Sequence, residues 1–85
     1  MYILGDIGNS ETKVFLVNSK DQIIRYINFS SKKINNSVLN SNFRFLTKNY
    51  SKIEKILFCS VVPKSFNLIK NFLYKKIKIK CYEVK

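Results

Sequence analysis

The residues best suited to chemistry stand together near the start of the chain: Asp6, Ile7, Gly8, Asn9, Ser10, Glu11, Thr12 and Lys13. They combine a carboxylate, small polar groups, a glycine and a cation. Binding a phosphate takes backbone N–H donors, a compensating charge and often magnesium. Gly8 lets the chain reverse with positive φ and lets a phosphate come close to the backbone. Asn9 also tolerates left-handed backbone. Successive amides in such a turn form an anion-binding concavity. Ser10 and Thr12 add hydroxyl donors, and Lys13 brings positive charge to the base of the turn. Asp6 is suited to holding magnesium, directly or through water. The same residues are also good hairpin chemistry, and in that plainer alternative Asp6 caps the turn's own amides. The segment is not a Walker-type loop, because the Gly-x-x-x-x-Gly-Lys spacing is absent and a strand follows.

Two apolar runs must position this turn. Residues 2–6 read as a buried strand, and Thr12 to Asn18 read as a second, rich in β-branched and aromatic residues. Asn18 to Asp21 form a polar turn, and Gln22 to Phe29 resume strand character. Short turns between three strands predict an antiparallel meander. Residues 30–37 read as a loop. Leu39, Phe43, Leu46 and Tyr50 then share one helical face. Ile56 to Val62 is a continuous apolar run, the pattern of a strand buried on both faces. Pro63 suits the first turn of a second helix, with Phe66, Ile69 and Leu73 as its apolar stripe and Phe72 beside it. Ile77, Ile79 and Cys81 alternate with Lys78, Lys80 and Tyr82, which predicts a half-buried strand towards a sheet edge. The order is β-β-β-α-β-α-β. Strands separated by helices are expected to run parallel through right-handed crossovers.

The chain has 85 residues, enough for one small domain, and its apolar content of 46% is enough for a core. The net charge is +11, which favours anionic partners. The lysines are scattered, however, and the densest groups are Lys32-Lys33 and Lys75, Lys76, Lys78 and Lys80. No apolar run approaches the roughly 20 residues that span a bilayer. The first residues meet Asp6 at once and carry no basic leader, so neither a membrane nor a signal peptide is expected and the location expected is cytoplasmic. Without histidine, and with Cys59 and Cys81 far apart, a zinc site is not expected. Both cysteines are expected to be reduced and buried.

Other candidates are weaker. Ser60 has no histidine to activate it and reads as a buried hydroxyl or a helix-entry group. Glu11, Asp21, Glu54 and Glu83 form no visible catalytic pair. Tyr74, Tyr82 and the tail lysines fit an exposed amphipathic strand better than a base-stacking surface.

Asp6-x-Gly8-Asn9-Ser10-x-x-Lys13 resembles the first phosphate motif of type III pantothenate kinases. Ser60-Val61-Val62-Pro63 is similar to a second hallmark of that family. The resemblance covers essentially the whole chain, but only about the first third of a family member. It implies an α/β fold, the ribonuclease H-like first lobe of the actin-like ATPase superfamily, with a mixed five-stranded sheet. It implies transfer of the γ-phosphoryl of ATP to pantothenate, giving 4′-phosphopantothenate in coenzyme A biosynthesis. It also implies Mg2+, a monovalent cation (K+ or NH4+), a cytoplasmic location and a homodimer of the full-length form. Under it, Asp6 positions magnesium, while Gly8, Asn9 and Ser10 cradle the ATP phosphates. Ile7, Glu11, Thr12 and Lys13 complete the ATP-binding segment. The family varies at Lys13, whose charge role rests on the physical reading.

The family's Gly-Ala-Asp segment with the general base is absent, as are a second Asp-x-Gly-Thr turn and the adenosine-binding glycines. Residues 1–85 therefore read as an N-terminal ATP-phosphate-binding lobe without a second lobe, inactive alone, with no catalytic residue of its own and the general base expected beyond Lys85. One sheet face is expected to lack covering helices, which predicts marginal stability or self-association. The alternative function is a basic nucleic-acid-binding or transcriptional accessory module, although nucleic acid is not the expected partner.

Overall fold

The computed structural model describes residues 1–47 and 53–84. Its strands are β1 (Tyr2–Ile7), β2 (Glu11–Val17), β3 (Ile23–Ser30), β4 (Lys55–Ser60) and β5 (Cys81–Glu83). Its helices are α1 (Asn36–Asn42) and α2 (Pro63–Ile77), with 3-10 turns at Ser31–Lys33 and Arg44–Thr47. The five strands form one mixed sheet in the order β3-β2-β1-β4-β5. β1, β2 and β3 make the antiparallel meander that their short turns dictate, and β4 and β5 add in parallel.

Side-chain alternation gives the sheet two unlike faces. Ile3 and Ile7 of β1, Val14 and Leu16 of β2, and Ile56 and Phe58 of β4 point to the helices and are buried. Phe66, Ile69 and Leu73 of α2, spaced on one helical face, close over them and join a single core cluster with Leu39 and Phe43. Phe43 meets Phe29, Phe45 and Phe72 at centroid distances of 6.0–6.2 Å. Each such side chain contributes about 1.5–3 kcal/mol when fully buried. Leu4, Phe15, Tyr26, Leu57 and Tyr82 lie on the opposite face, which no described helix covers. Phe15 and Tyr26 pair there with ring centroids 5.0 Å apart.

Four expectations change. The first helix is shorter than its apolar spacing predicts. Asn35 caps α1 by accepting the Val38 N–H, and the helix ends at Phe43, after which a 3-10 turn carries Leu46 into the same core. The intervening asparagines and serines are weak helix formers. Tyr50, the last member of that stripe, lies outside the described residues.

β4 is buried on one face only, because Leu57 is half-buried and Cys59 is exposed. Cys81 is buried as expected, so the two cysteines differ in environment. Finally, the alternating tail is largely the end of a helix. Ile77 extends the Ile69–Leu73 stripe by one more turn, Lys78 ends α2 in left-handed backbone (φ 61), and β5 begins only at Cys81. Pro63 does take the first helical turn of α2. β5 forms an edge of the sheet, as its pattern suggested.

Candidate functional site

The carboxyl ends of the parallel strands β1 and β4 lie side by side, with Ile7 opposite Ser60. In open α/β sheets this is where ligands collect. The two motifs singled out in the sequence therefore meet at one end of the sheet. The Val61 N–H donates to the Ile7 carbonyl at 3.1 Å and extends the β1–β4 ladder by one bond. The Ser60 Oγ accepts from the Val62 N–H and donates to the Val62 carbonyl, both at 3.0 Å. That is the helix-entry role: the hydroxyl shapes the connection into α2 and is spent on the backbone.

The β1–β2 hairpin closes through the Gly8 N–H, which donates to the Glu11 carbonyl at 2.9 Å. The Ser31 N–H donates to the Ser10 carbonyl at 3.0 Å and ties the tip to the turn after β3. The N–H groups of Asn9 and Ser10 make no hydrogen bond among the described residues, and both residues are exposed. Two adjacent unpaired donors at a tight turn are what an anion requires. The positive φ expected at Gly8 is absent, and Asn9 is not left-handed either. Primed hairpin turns need positive φ, so this turn is of another type. Gly8 matters for close approach instead, since a Cβ there would sit 3.2 Å from the Glu11 carbonyl oxygen.

Asp6 and Lys13 are opposite each other in the β1–β2 register, and both are exposed on the face without helices. Among the described residues the Asp6 carboxylate takes part in no hydrogen bond or ion pair. It does not cap the turn's amides, so the plainer hairpin role is not what it performs. Cys59 is its neighbour on the other side, in register on β4. Glu11 is exposed at the start of β2, whereas Ile7 is a fully buried core residue.

Thr12 departs from its expected role. It is fully buried on the helix-covered face, and its Oγ1 is 2.8 Å from the Ser31 Oγ. The Ser65 Oγ in turn donates to the Ser31 carbonyl at 3.4 Å. The Thr12 hydroxyl therefore belongs to a buried chain joining β2, the Ser31–Lys33 turn and α2, and is not free to donate to a phosphate. Sequence reading missed Ser31. Its one signal was position, directly after the strand that pairs with β2.

Among the described residues no three of His, Cys, Asp and Glu converge to form a protein-only metal site. A single free carboxylate beside unpaired amides suits magnesium, which commonly takes one or two carboxylates together with substrate phosphates and water. Burial pushes the Cys81 thiol up to about 12, with the nearby Lys70 charge opposing the shift. Cys81 is thus a protonated core residue rather than a nucleophile. No helix among the described residues is long and apolar enough to cross a membrane.

Residues 2–85 match the family model described as type III pantothenate kinase. The chain is 54% identical, over all 85 residues, to the type III pantothenate kinase of Pelagibacter ubique, and it spans 34% of that relative's length. Among solved structures it is similar to the Aquifex aeolicus member of the Ppx/GppA protein family. That likeness has 12% identity and a TM-score of 0.47, and it covers 98% of this chain and 34% of the other. The family match includes the hairpin turn and the β4–α2 connection that meet at one sheet end, and it runs nearly the length of the chain. The chain belongs to the type III pantothenate kinase family.

Proposed function

We propose that this chain is the ATP-phosphate-binding part of a pantothenate kinase, acting at the first committed phosphorylation in coenzyme A synthesis. The observation that carries the reading is the pair of unpaired amides at Asn9 and Ser10, between a free carboxylate at Asp6 and a cation at Lys13. Phosphoryl transfer asks a protein mainly for positioning and charge neutralisation. The Asn9 and Ser10 amides donate to phosphate oxygens, and Gly8 keeps the turn clear of side chain. Lys13 offsets negative charge. The Asp6 carboxylate would hold magnesium, which would supply positive charge to offset that of the phosphates. Ile7 fixes the strand end from the core, and Glu11 and Thr12 anchor the return strand.

The chain spans about a third of its matched relative. Pantothenate binding, proton removal by the general base, the monovalent cation site and the homodimer contacts are assigned in this reading to the full-length enzyme, working in the cytoplasm. The test is a titration of the ¹⁵N-labelled chain with ATP and magnesium. The Asn9 and Ser10 amide signals should move first and furthest. Saturable shifts centred elsewhere, or none, would remove the assignment.

A further inference from the structure

A cleft of 340 Å³ opens on the side of the hairpin tip away from Asp6 and Lys13, between the turn after β3 and the start of α2. Its volume is at the small end of the range for small-molecule sites, about 300–1,000 Å³. Lys32 and Lys64 stand at its sides, and Asn9 reaches it from the phosphate turn. Both lysines are exposed, and neither forms an ion pair among the described residues. No acidic residue lines the cleft.

The remaining lining is of two kinds. Ser31 and Ser65 are buried and already hydrogen-bonded to the protein, so they give a fixed polar floor with little donor capacity to spare. Ile34, Val62 and Leu68 present hydrocarbon. A bare inorganic ion would leave that wall wet. A neutral apolar molecule would use the hydrocarbon wall but neither of the two exposed ammonium groups beside it.

We infer that this cleft is a second anion subsite, separate from the phosphate turn, that takes a small organic anion with a short aliphatic body. Lys32 and Lys64 neutralise the anionic group, Asn9 donates its side-chain amide, and Ile34, Val62 and Leu68 cover the hydrocarbon. Because Asn9 also contributes its backbone to the turn, a ligand here lies next to bound phosphate. The inference stands on the lining of the cleft, and nothing in it requires ATP.

The test follows the amide signals of the ¹⁵N-labelled chain during titration with isovalerate, a branched aliphatic carboxylate. Isovaleramide has the same body without the charge, and inorganic phosphate has charge without the body. Isovalerate should give saturable shifts at Asn9, Ser31, Lys32, Lys64 and Ser65. The double variant Lys32→Gln/Lys64→Gln, which alters only exposed side chains, should bind about tenfold more weakly, as two solvent-exposed charge contacts would give. Asp6→Ala should leave isovalerate binding unchanged, which separates this site from the kinase reading. Absence of local shifts, an unaffected double variant, or equal binding of isovaleramide would overturn the proposal. So would phosphate binding as tightly as isovalerate, because the apolar wall would then contribute nothing.

Discussion

The ring of Phe58 fills the space above Gly5, its register partner in the parallel β1–β4 ladder. A Cβ on Gly5 would overlap three ring carbons. Phe58 is fully buried, so the ring has little room to retreat. Gly5 immediately precedes Asp6, and the closeness of these two strands sets where the Asp6 carboxylate emerges. Gly5→Ala should therefore destabilise the fold by about 1–3 kcal/mol, as overpacking in a closed core does. Denaturant unfolding measures this. An unchanged midpoint would mean that the ring moves freely.

Cys59 is the register neighbour of Asp6 on the exposed face, while Cys81 is buried. Iodoacetamide should alkylate Cys59 much faster than Cys81, read by peptide mass spectrometry. ATP with magnesium should slow the Cys59 reaction several-fold, because ligand at the phosphate turn covers the Asp6 side of β4. Equal rates with and without nucleotide would place the nucleotide elsewhere.

The raised pKa of Cys81 carries a pH dependence with a definite sign. Its folded value of about 12 stands above its ordinary value of 9.0, so folding favours the neutral thiol. That contribution is complete below pH 9 and declines as pH rises towards 12, because the unfolded chain loses the proton first. Chemical denaturation near pH 8 and again near pH 10.5 should show a larger loss for the natural chain than for Cys81→Ala. Parallel losses in the two proteins would remove Cys81 as the cause.

The Thr12–Ser31 hydrogen bond is buried. Thr12→Val keeps the shape but leaves the Ser31 hydroxyl without that partner, at a cost of about 1–3 kcal/mol. Nucleotide affinity should stay within about twofold, because the lost hydroxyl faces the core and its contribution to stability is local. A tenfold fall in affinity by calorimetry, with the fold intact, would restore Thr12 as a phosphate donor.

Much of this architecture was legible because local pattern and tertiary burial agree. The meander follows from the apolar and β-branched runs of β1 to β3 and from the short turns that join them. The start of α2 follows from Pro63, whose ring suits a first helical turn. The failures share a cause, since periodicity describes one chain segment and burial depends on its neighbours. Leu57 and Cys59 read as core, yet no described helix lies over their face. Ile77 fitted a period of two as well as the helical stripe, and packing beside Leu73 decided for the helix. At the site, Asp6 and Lys13 were visible as a motif. Their sharing of the open face, and the turning of Thr12 to the other, required the strand register. Lys32 and Lys64 are far apart in the sequence and became neighbours of Asn9 only in the folded chain.

In the proposed function the Asp6 turn binds nucleotide phosphate together with magnesium. Isothermal titration of ATP into the natural chain and into Asp6→Asn, each with and without magnesium, tests it most directly. Asp6→Asn keeps the size and polarity of the side chain and removes its charge. Binding to the natural chain should depend on magnesium, and binding to the variant should be at least about tenfold weaker, the loss of one charged contact to a metal-bound phosphate. Equal affinities for the two proteins, or binding indifferent to magnesium, would contradict it.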